Sequence, residues 1–188
     1  MRTSNRDRII TGALELAHRD GFDTLTFDAL AEHVGLTRGG IIYHFRTKAE
    51  LLEGIASAIQ ERWRAEALEA LGKPLDEASR AERIEALTRS VIDGEILPGE
   101  VSFMLSATPE AEMLKDAWNA LRREWVGEIS ELTSMQRVAL LAVDGWWANR
   151  AVDRDNQDPD DPAIADLIVS LAAGNMTGQA LGKPSGKD

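Results

Sequence analysis

Residues 26–52 read TFDALAEHVGLTRGGIIYHFRTKAELL, and the organisation of the chain follows from this stretch. Thr26 stands where it can cap a short helix containing Phe27, Leu30, Ala31 and Val34, and Gly35 suits the left-handed position that ends such a helix. Thr37 can cap a second helix, Arg38-Gly-Gly-Ile-Ile-Tyr-His-Phe45. Thr47 and Glu50 form a capping box that starts a long helix running to Leu71. Two short helices joined by Gly35-Leu36, with an earlier helix across both, predict a helix-turn-helix. Ala31, Leu36, Ile41 and Phe45 would supply the small core that fixes its crossing angle.

The second short helix carries Gly39 and Gly40 in its interior, each costing about 1 kcal/mol relative to alanine. A helix that only packs gains nothing from them, whereas a backbone that approaches a phosphate or a base edge does. Arg38, Tyr43 and His44 project as donors and as a stacking surface. Lys48, in the first turn of the next helix, opposes the helix dipole and would gain from a phosphate.

Leu25 to Leu52, above all the order cap, glycine, His44-Phe45, Thr47-Lys48 and Leu51-Leu52, resembles the signature of TetR-family transcriptional repressors. The resemblance implies that Thr37, Arg38, Gly39, Gly40, Tyr43, His44 and Lys48 face DNA, with Thr26 on a phosphate. It also implies a homodimer that reads a palindromic operator in double-stranded DNA and is released by a small-molecule effector. One position departs from the pattern: Ile42 stands where the family usually has tyrosine, so Tyr43 would take over part of a backbone contact.

Outward from this stretch the periodicity is helical nearly everywhere, and the predicted fold class is all-α. The first helix starts at a Ser4–Asp7 cap, carries Ile9, Ile10, Ala13, Leu14 and Ala17 on one face, and ends at Gly21. Later helices are expected at about 76–93, 100–107, 109–132, 135–153 and 162–173. The breaks between them are Gly72-Lys-Pro74, Pro98-Gly99, Thr108-Pro109 and Asp161-Pro162. The expected domains are a helix-turn-helix unit over 1–47, a ligand-binding and dimerisation unit over 48–177, and a disordered tail over 178–188.

Composition narrows the function classes. The 188 residues include no cysteine, which excludes disulfides, thiolate nucleophiles and cysteine-based zinc sites. The net charge is −11, yet residues 1–50 are balanced and hold all three histidines, so the acidity belongs to the remainder. The balance in the first fifty residues implies weak, salt-sensitive non-specific DNA affinity. A charged N-terminus and the absence of a long apolar run predict a soluble, cytoplasmic protein without signal peptide or membrane span. No Gly-x-Ser-x-Gly elbow, phosphate-binding glycine loop or His-Glu-x-x-His pattern suggests an enzyme, and no catalytic residue, cofactor or metal is implied.

Five tryptophans, all after residue 60, mark the second unit. Trp118 and Trp125 lie on an apolar stripe with Ala111, Leu114, Leu121, Ile129 and Leu132, whose simplest reading is core packing. Trp146 and Trp147 must point to different sides of their helix. The functional reading is an aromatic cavity formed by Trp63, Trp118 and Trp147, with Phe103, Met104 and Met113 as adaptable walls. Asp144 is the only charged residue between Val138 and Asn149. Its carboxylate either awaits a cationic or flat aromatic ligand or is tied structurally, with Arg150 as a nearby partner. Multidrug-sensing members of the family combine tryptophans and a carboxylate in a similar way.

Small residues in the last two helices (Ala142, Gly145, Ala148, Ala151, Ala165) beside Leu167, Ile168 and Leu171 suggest a face for a second copy. The acidic run from Asp153 to Asp161 reads as a solvated loop. Two other function classes fit the same residues. One is a DNA-binding regulator controlled by a protein partner, and the other is a helical ligand carrier or enzyme that does not bind DNA.

Overall fold

The computed structural model describes residues 4–21, 25–97, 99–152 and 162–175. The expected tail and the acidic run 153–161 lie outside these residues. Among the described residues the fold is helical throughout, an N-terminal helix-turn-helix unit followed by a C-terminal helical unit. The helices are α1 (Asn5–Asp20), α2 (Phe27–Val34), α3 (Arg38–His44), α4 (Lys48–Leu71), α5 (Arg80–Asp93), α6 (Glu100–Met104), α7 (Pro109–Val126), α8 (Ser134–Val152) and α9 (Pro162–Ala172).

The N-terminal boundaries follow the caps. Ser4 and Asp7 form a complete capping box. The hydroxyls of Thr26 and Thr37 accept from the backbone N–H of Ala29 and Gly40, at 3.2 and 3.0 Å. Gly35 ends α2 in the left-handed region at φ 65°. At α4, Thr47 accepts from Glu50 N–H as expected, but the Glu50 carboxylate turns to the N–H of Arg46 instead of closing a box with Thr47.

α1 lies across α2, its Gly12 leaving room for Val34, since a β-carbon there would stand 2.2 Å from Val34 Cγ1. Arg8 donates to the Val34 carbonyl at 2.8 Å, and His33 bonds Glu15 at 2.7 Å, so the first two helices are tied at both sides. Ile41 of α3 and Phe45, which caps it, are buried in the same core as Leu51 and Ile55 of α4, with Leu36 partly buried against it. Arg6 covers the Phe45 ring, 5.4 Å from its centroid.

α4 is the spine, since its first half closes the N-terminal unit and its second half packs on α5 and α7. α5 is sandwiched among α4, α7, α8 and α9 around Ile84, Leu87, Leu114, Trp125, Val143 and Ile168. α6 packs against both α7 and α1. At the start of α6, Gly99 adopts φ 82°, and a β-carbon on it would stand 2.4 Å from the carbonyl oxygen of Leu14. No side chain fits between α6 and α1 at that point.

Three expected helix ends move. α5 starts at Arg80, four residues late, because Ser79 and Glu82 form a capping box after a one-turn 3-10 helix at Leu75–Glu77. The Lys73 ammonium and the Ser79 hydroxyl and N–H hold the Glu82 carboxyl down at about 2. α6 stops at Met104, short of residue 107. α7 stops at Val126 where the stripe predicted a run to 132, because Gly127 takes φ 77° and Arg80 donates to the carbonyl oxygens of Val126 and Glu128. Thr108 and Pro109 start α7 as expected, with Thr108 accepting from Ala111 N–H at 3.2 Å.

Candidate nucleic-acid interface and ligand cavity

The face of α3 turned away from its core carries the chemistry that its sequence suggested. Tyr43 is 85% exposed, and His44 meets it edge-on with ring centroids 5.1 Å apart. Arg38, also exposed, is paired with the carboxylate of Asp28 on α2. Thr26, Thr37 and Lys48 are exposed at the N-termini of α2, α3 and α4. The oxygens of both threonines accept from the backbone, which leaves each O–H hydrogen free to be donated outward. Ile42 is also exposed on this side.

Gly39 is the informative residue of α3. A β-carbon there would meet no neighbour closer than 3.9 Å, so the packing of this chain does not demand glycine. Gly40 is tighter, with the Thr37 hydroxyl 3.3 Å from the position of its missing β-carbon. Gly39→Ala is therefore expected to stabilise the isolated protein by about 0.5–1 kcal/mol, the helix-propensity difference, while weakening any ligand that needs the bare backbone. Thermal denaturation and DNA titration of the same variant separate the two effects. A gain in stability with unchanged DNA affinity removes the close-approach argument.

A cavity of about 280 Å³ opens between α4, α5, α6, α7 and α8. Five of the seven residues expected to bind a ligand, Trp63, Met104, Trp118, Asp144 and Trp147, line it. Trp63 and Trp118 meet at 5.1 Å with their planes inclined by 66°. Phe103 does not reach the cavity, because the α6 phase that turns Met104 inward buries Phe103 completely in the core. Met113 does not line it either, since it falls one residue off the buried stripe of α7 and is 56% exposed. Trp125 is core, whereas Trp146 packs beside the core and its neighbour Trp147 faces the cavity.

The walls hold charges that the sequence did not single out. Glu66, Glu95 and Glu100 join Asp144, against Arg122. Glu100 is fully buried. Its carboxylate accepts from Trp63 Nε1 at 2.8 Å, from Leu97 N–H at 3.3 Å and from Arg62. Arg62 also donates to Glu66 and to the Glu95 carbonyl, so one guanidinium ties α4 to the α5–α6 connection. Burial pushes the Glu100 carboxyl up, with the Arg62 charge and the Trp63 N–H pulling against it.

Asp144 is also pushed up by burial, and here the opposing charge is Arg122, 3.2 Å away. Arg150 is not its partner, because that guanidinium donates to the carbonyl oxygens of Ile92 and Gly94 at the end of α5. Nη1 of Arg150 thus helps to close a helix terminus.

A third surface lies on α8 and α9, where Val138, Leu141, Ile164 and Leu167 are exposed, Leu141 by 72%. On α8 the apolar spacing continues through exposed Gly145, around which a β-carbon would meet nothing within 4 Å. No described helix is long and apolar enough to cross a membrane.

Comparison with known proteins places these features in context. Residues 9–55 match the family model for bacterial regulatory proteins of the tetR family. Over 55 residues the chain is 38% identical to the HTH-type transcriptional regulator SrpR of Pseudomonas putida. That match covers 29% of this chain and 26% of SrpR, so the chain spans about a quarter of the relative it matches. Two solved structures share the fold over most of the chain. AibR, in complex with isovaleryl coenzyme A and operator DNA, superposes with a TM-score of 0.62 at 19% identity, covering 89% of this chain and 97% of AibR. The multidrug binding protein EbrR, complexed with malachite green, gives 0.58 at 17% identity, covering 90% and 98%.

Proposed function

We propose that this chain, whose residues 9–55 match the model for bacterial regulatory proteins of the tetR family, is a transcriptional regulator whose α3 reads DNA and whose Trp-lined cavity takes an effector. The observation that carries the DNA-reading half is the exposed face of α3, with Arg38, Tyr43 and a Gly39 that no internal contact explains. Arg38 and His44 supply donors to base edges, Tyr43 a contact to sugar and phosphate, and Gly39 and Gly40 a backbone that comes close. Thr26, Thr37 and Lys48 hold the phosphates on either side.

The exposed apolar residues of α8 and α9 suit a two-fold interface with a second copy. Two recognition helices then fall in successive major grooves of a palindrome, with half-site centres about one helical turn, or a multiple of it, apart. The proposed domain division is the one the chain suggests, 1–47 for DNA and 48–177 for ligand and dimer, with α4 starting at the division.

The effector that fits the cavity best is a small, flat aromatic cation. Tryptophans supply stacking and cation–π contact, and four wall carboxylates outnumber the two guanidinium groups that face them, Arg122 in the wall and Arg62 bound to Glu66 and Glu100. At about 280 Å³ the space is at the low end of ordinary small-molecule sites, which span about 300–1,000 Å³. The same charges disfavour an anion such as the isovaleryl coenzyme A held by AibR. Ligand in the cavity favours a recognition-helix spacing that does not fit the operator, and by linkage DNA and ligand weaken each other by one factor.

The test is selection of bound sequences from random duplexes, followed by titration at several salt concentrations. A palindromic consensus with a steep salt slope is expected, and no enrichment at low salt refutes the reading. The cavity has its own prediction. Asp144→Asn is expected to weaken a planar cationic dye about tenfold, the loss of one partly desolvated charge contact. In the wild type, a cation prefers ionised Asp144, whose carboxyl lies above its ordinary 3.8, so dye affinity falls as pH drops through that raised value. Glu66, Glu95 and Glu100 line the same cavity. The part of the pH dependence missing from Asp144→Asn therefore belongs to Asp144, and identical profiles for the two proteins exclude its role.

A further inference from the structure

We infer that Arg122 is an internal counter-cation: it occupies Asp144 in the empty cavity and must be displaced by the charged group of the effector, which makes it a determinant of ligand affinity and charge selectivity. The inference rests on the reading of the cavity as an effector site.

The two arginines at this cavity are held very differently. Arg62 is gripped by Glu66, Glu100 and the Glu95 carbonyl, and its main partner Glu100 is itself bonded to Trp63 and Leu97. Removing Arg62 from that set would strand a fully buried carboxylate. Among the described residues Arg122 has one partner, Asp144, through the single contact Nη1 to Oδ2 at 3.2 Å. The pair lacks the two-pronged geometry that makes arginine–carboxylate bonds strong. The other carboxylate oxygen, Oδ1, accepts no hydrogen bond among the described residues. Both side chains are partly open to solvent, at 24% and 42%, so water can receive the guanidinium when it leaves.

The position of the pair gives the exchange its chemistry. Arg122 follows Trp118 by one turn of α7, and Asp144 precedes Trp147 by one turn of α8. All four residues line the same cavity. A flat cation stacked on these indoles thus places its charge where the Arg122–Asp144 contact stands, and the guanidinium competes with it for one carboxylate. The affinity measured for a cation is its intrinsic affinity reduced by the fraction of molecules in which Asp144 is free. A neutral aromatic of the same shape leaves the pair in place and gains nothing from its opening.

The experiment compares N-methylacridinium with acridine, at pH 8 where acridine is neutral, by isothermal titration calorimetry on the full chain. Arg122→Gln is expected to bind N-methylacridinium about three- to fivefold tighter than wild type, the upper range of a weak partly exposed ion pair, and acridine equally well. Arg122→Lys, which keeps the charge, is expected to stay within about twofold of wild type on the same scale. Combining Asp144→Asn with Arg122→Gln is expected to remove the gain. Cation binding by wild type that is unchanged or weakened in Arg122→Gln overturns the inference and leaves the effector reading standing. Equal tightening of acridine overturns it too, since the effect would then be space and not charge. Failure of wild type and Arg122→Gln alike to bind either compound defeats the effector reading and the inference with it.

Discussion

Glu100→Ala is expected to lower the unfolding free energy by about 3–5 kcal/mol, the largest effect of any single change proposed for this chain. The carboxylate is fully buried and is shared by Arg62, Trp63 Nε1 and Leu97 N–H. Alanine leaves the Arg62 charge with only Glu66 and the Glu95 carbonyl, and it leaves the indole N–H facing a void. Glu100→Gln separates the two losses, because the amide oxygen still accepts from Trp63 while the charge opposite Arg62 is gone. It should fall between alanine and wild type. Urea unfolding followed by tryptophan fluorescence and by circular dichroism measures both variants. A loss below about 1 kcal/mol for alanine would mean that the Arg62–Glu100 arrangement adds little to the fold.

Arg38→Ala and Tyr43→Ala are expected to weaken operator binding by about 10- to 100-fold each, with little change in stability. Both side chains are exposed, and the Arg38–Asp28 pair is a surface contact whose own contribution is small. Arg38→Ala and Lys48→Ala should differ in kind. Loss of a base contact at Arg38 relaxes sequence preference at one position, whereas Lys48→Ala weakens all sequences alike and reduces the salt slope by about one. Tyr43→Phe tests whether the hydroxyl or the ring carries the contact. Wild-type affinity and preference in Arg38→Ala would mean that α3 does not read the groove with this residue.

Much of the N-terminal unit is legible in the sequence because its boundaries are local chemistry. Thr26, Thr37 and Gly35 each act within four residues of themselves, and their roles follow from residue type. The end of α7 is not legible in that way. Trp125, Ile129 and Leu132 continue a helical period straight through Gly127, and only the donation from Arg80, on another helix, shows where the carbonyls are closed. The cavity divides similarly. Residue type flags Trp63, Trp118, Trp147 and Asp144, but helix phase decides between Phe103 and Met104, and a five-residue helix offers too little periodicity to set it.

Glu100, Arg62 and Arg122 are not legible in the sequence for a different reason. Each looks like an ordinary charge on a polar face, and its significance arises where separate helices converge. Arg122 lies one turn from Trp118, which was a signal available in the sequence, since a charge at that spacing shares a face with a cavity aromatic. Arg150 looked the better partner for Asp144 on sequence distance alone, yet it reaches instead to the end of α5.

The contact of Gly99 with the backbone of α1 bears on how such a protein can diversify. Met104, Val91 and Ile96 line the cavity with apolar side chains that can be exchanged for larger or smaller ones, each exchange reshaping the space available to a ligand. Position 99 has no such latitude, because any β-carbon meets the Leu14 carbonyl and the positive φ penalises it as well. Glu100, the next residue, belongs to the cavity wall. The shape and charge of the cavity can therefore change on one side of a seam that itself admits a single residue type, while the contact of α6 with α1 stays fixed.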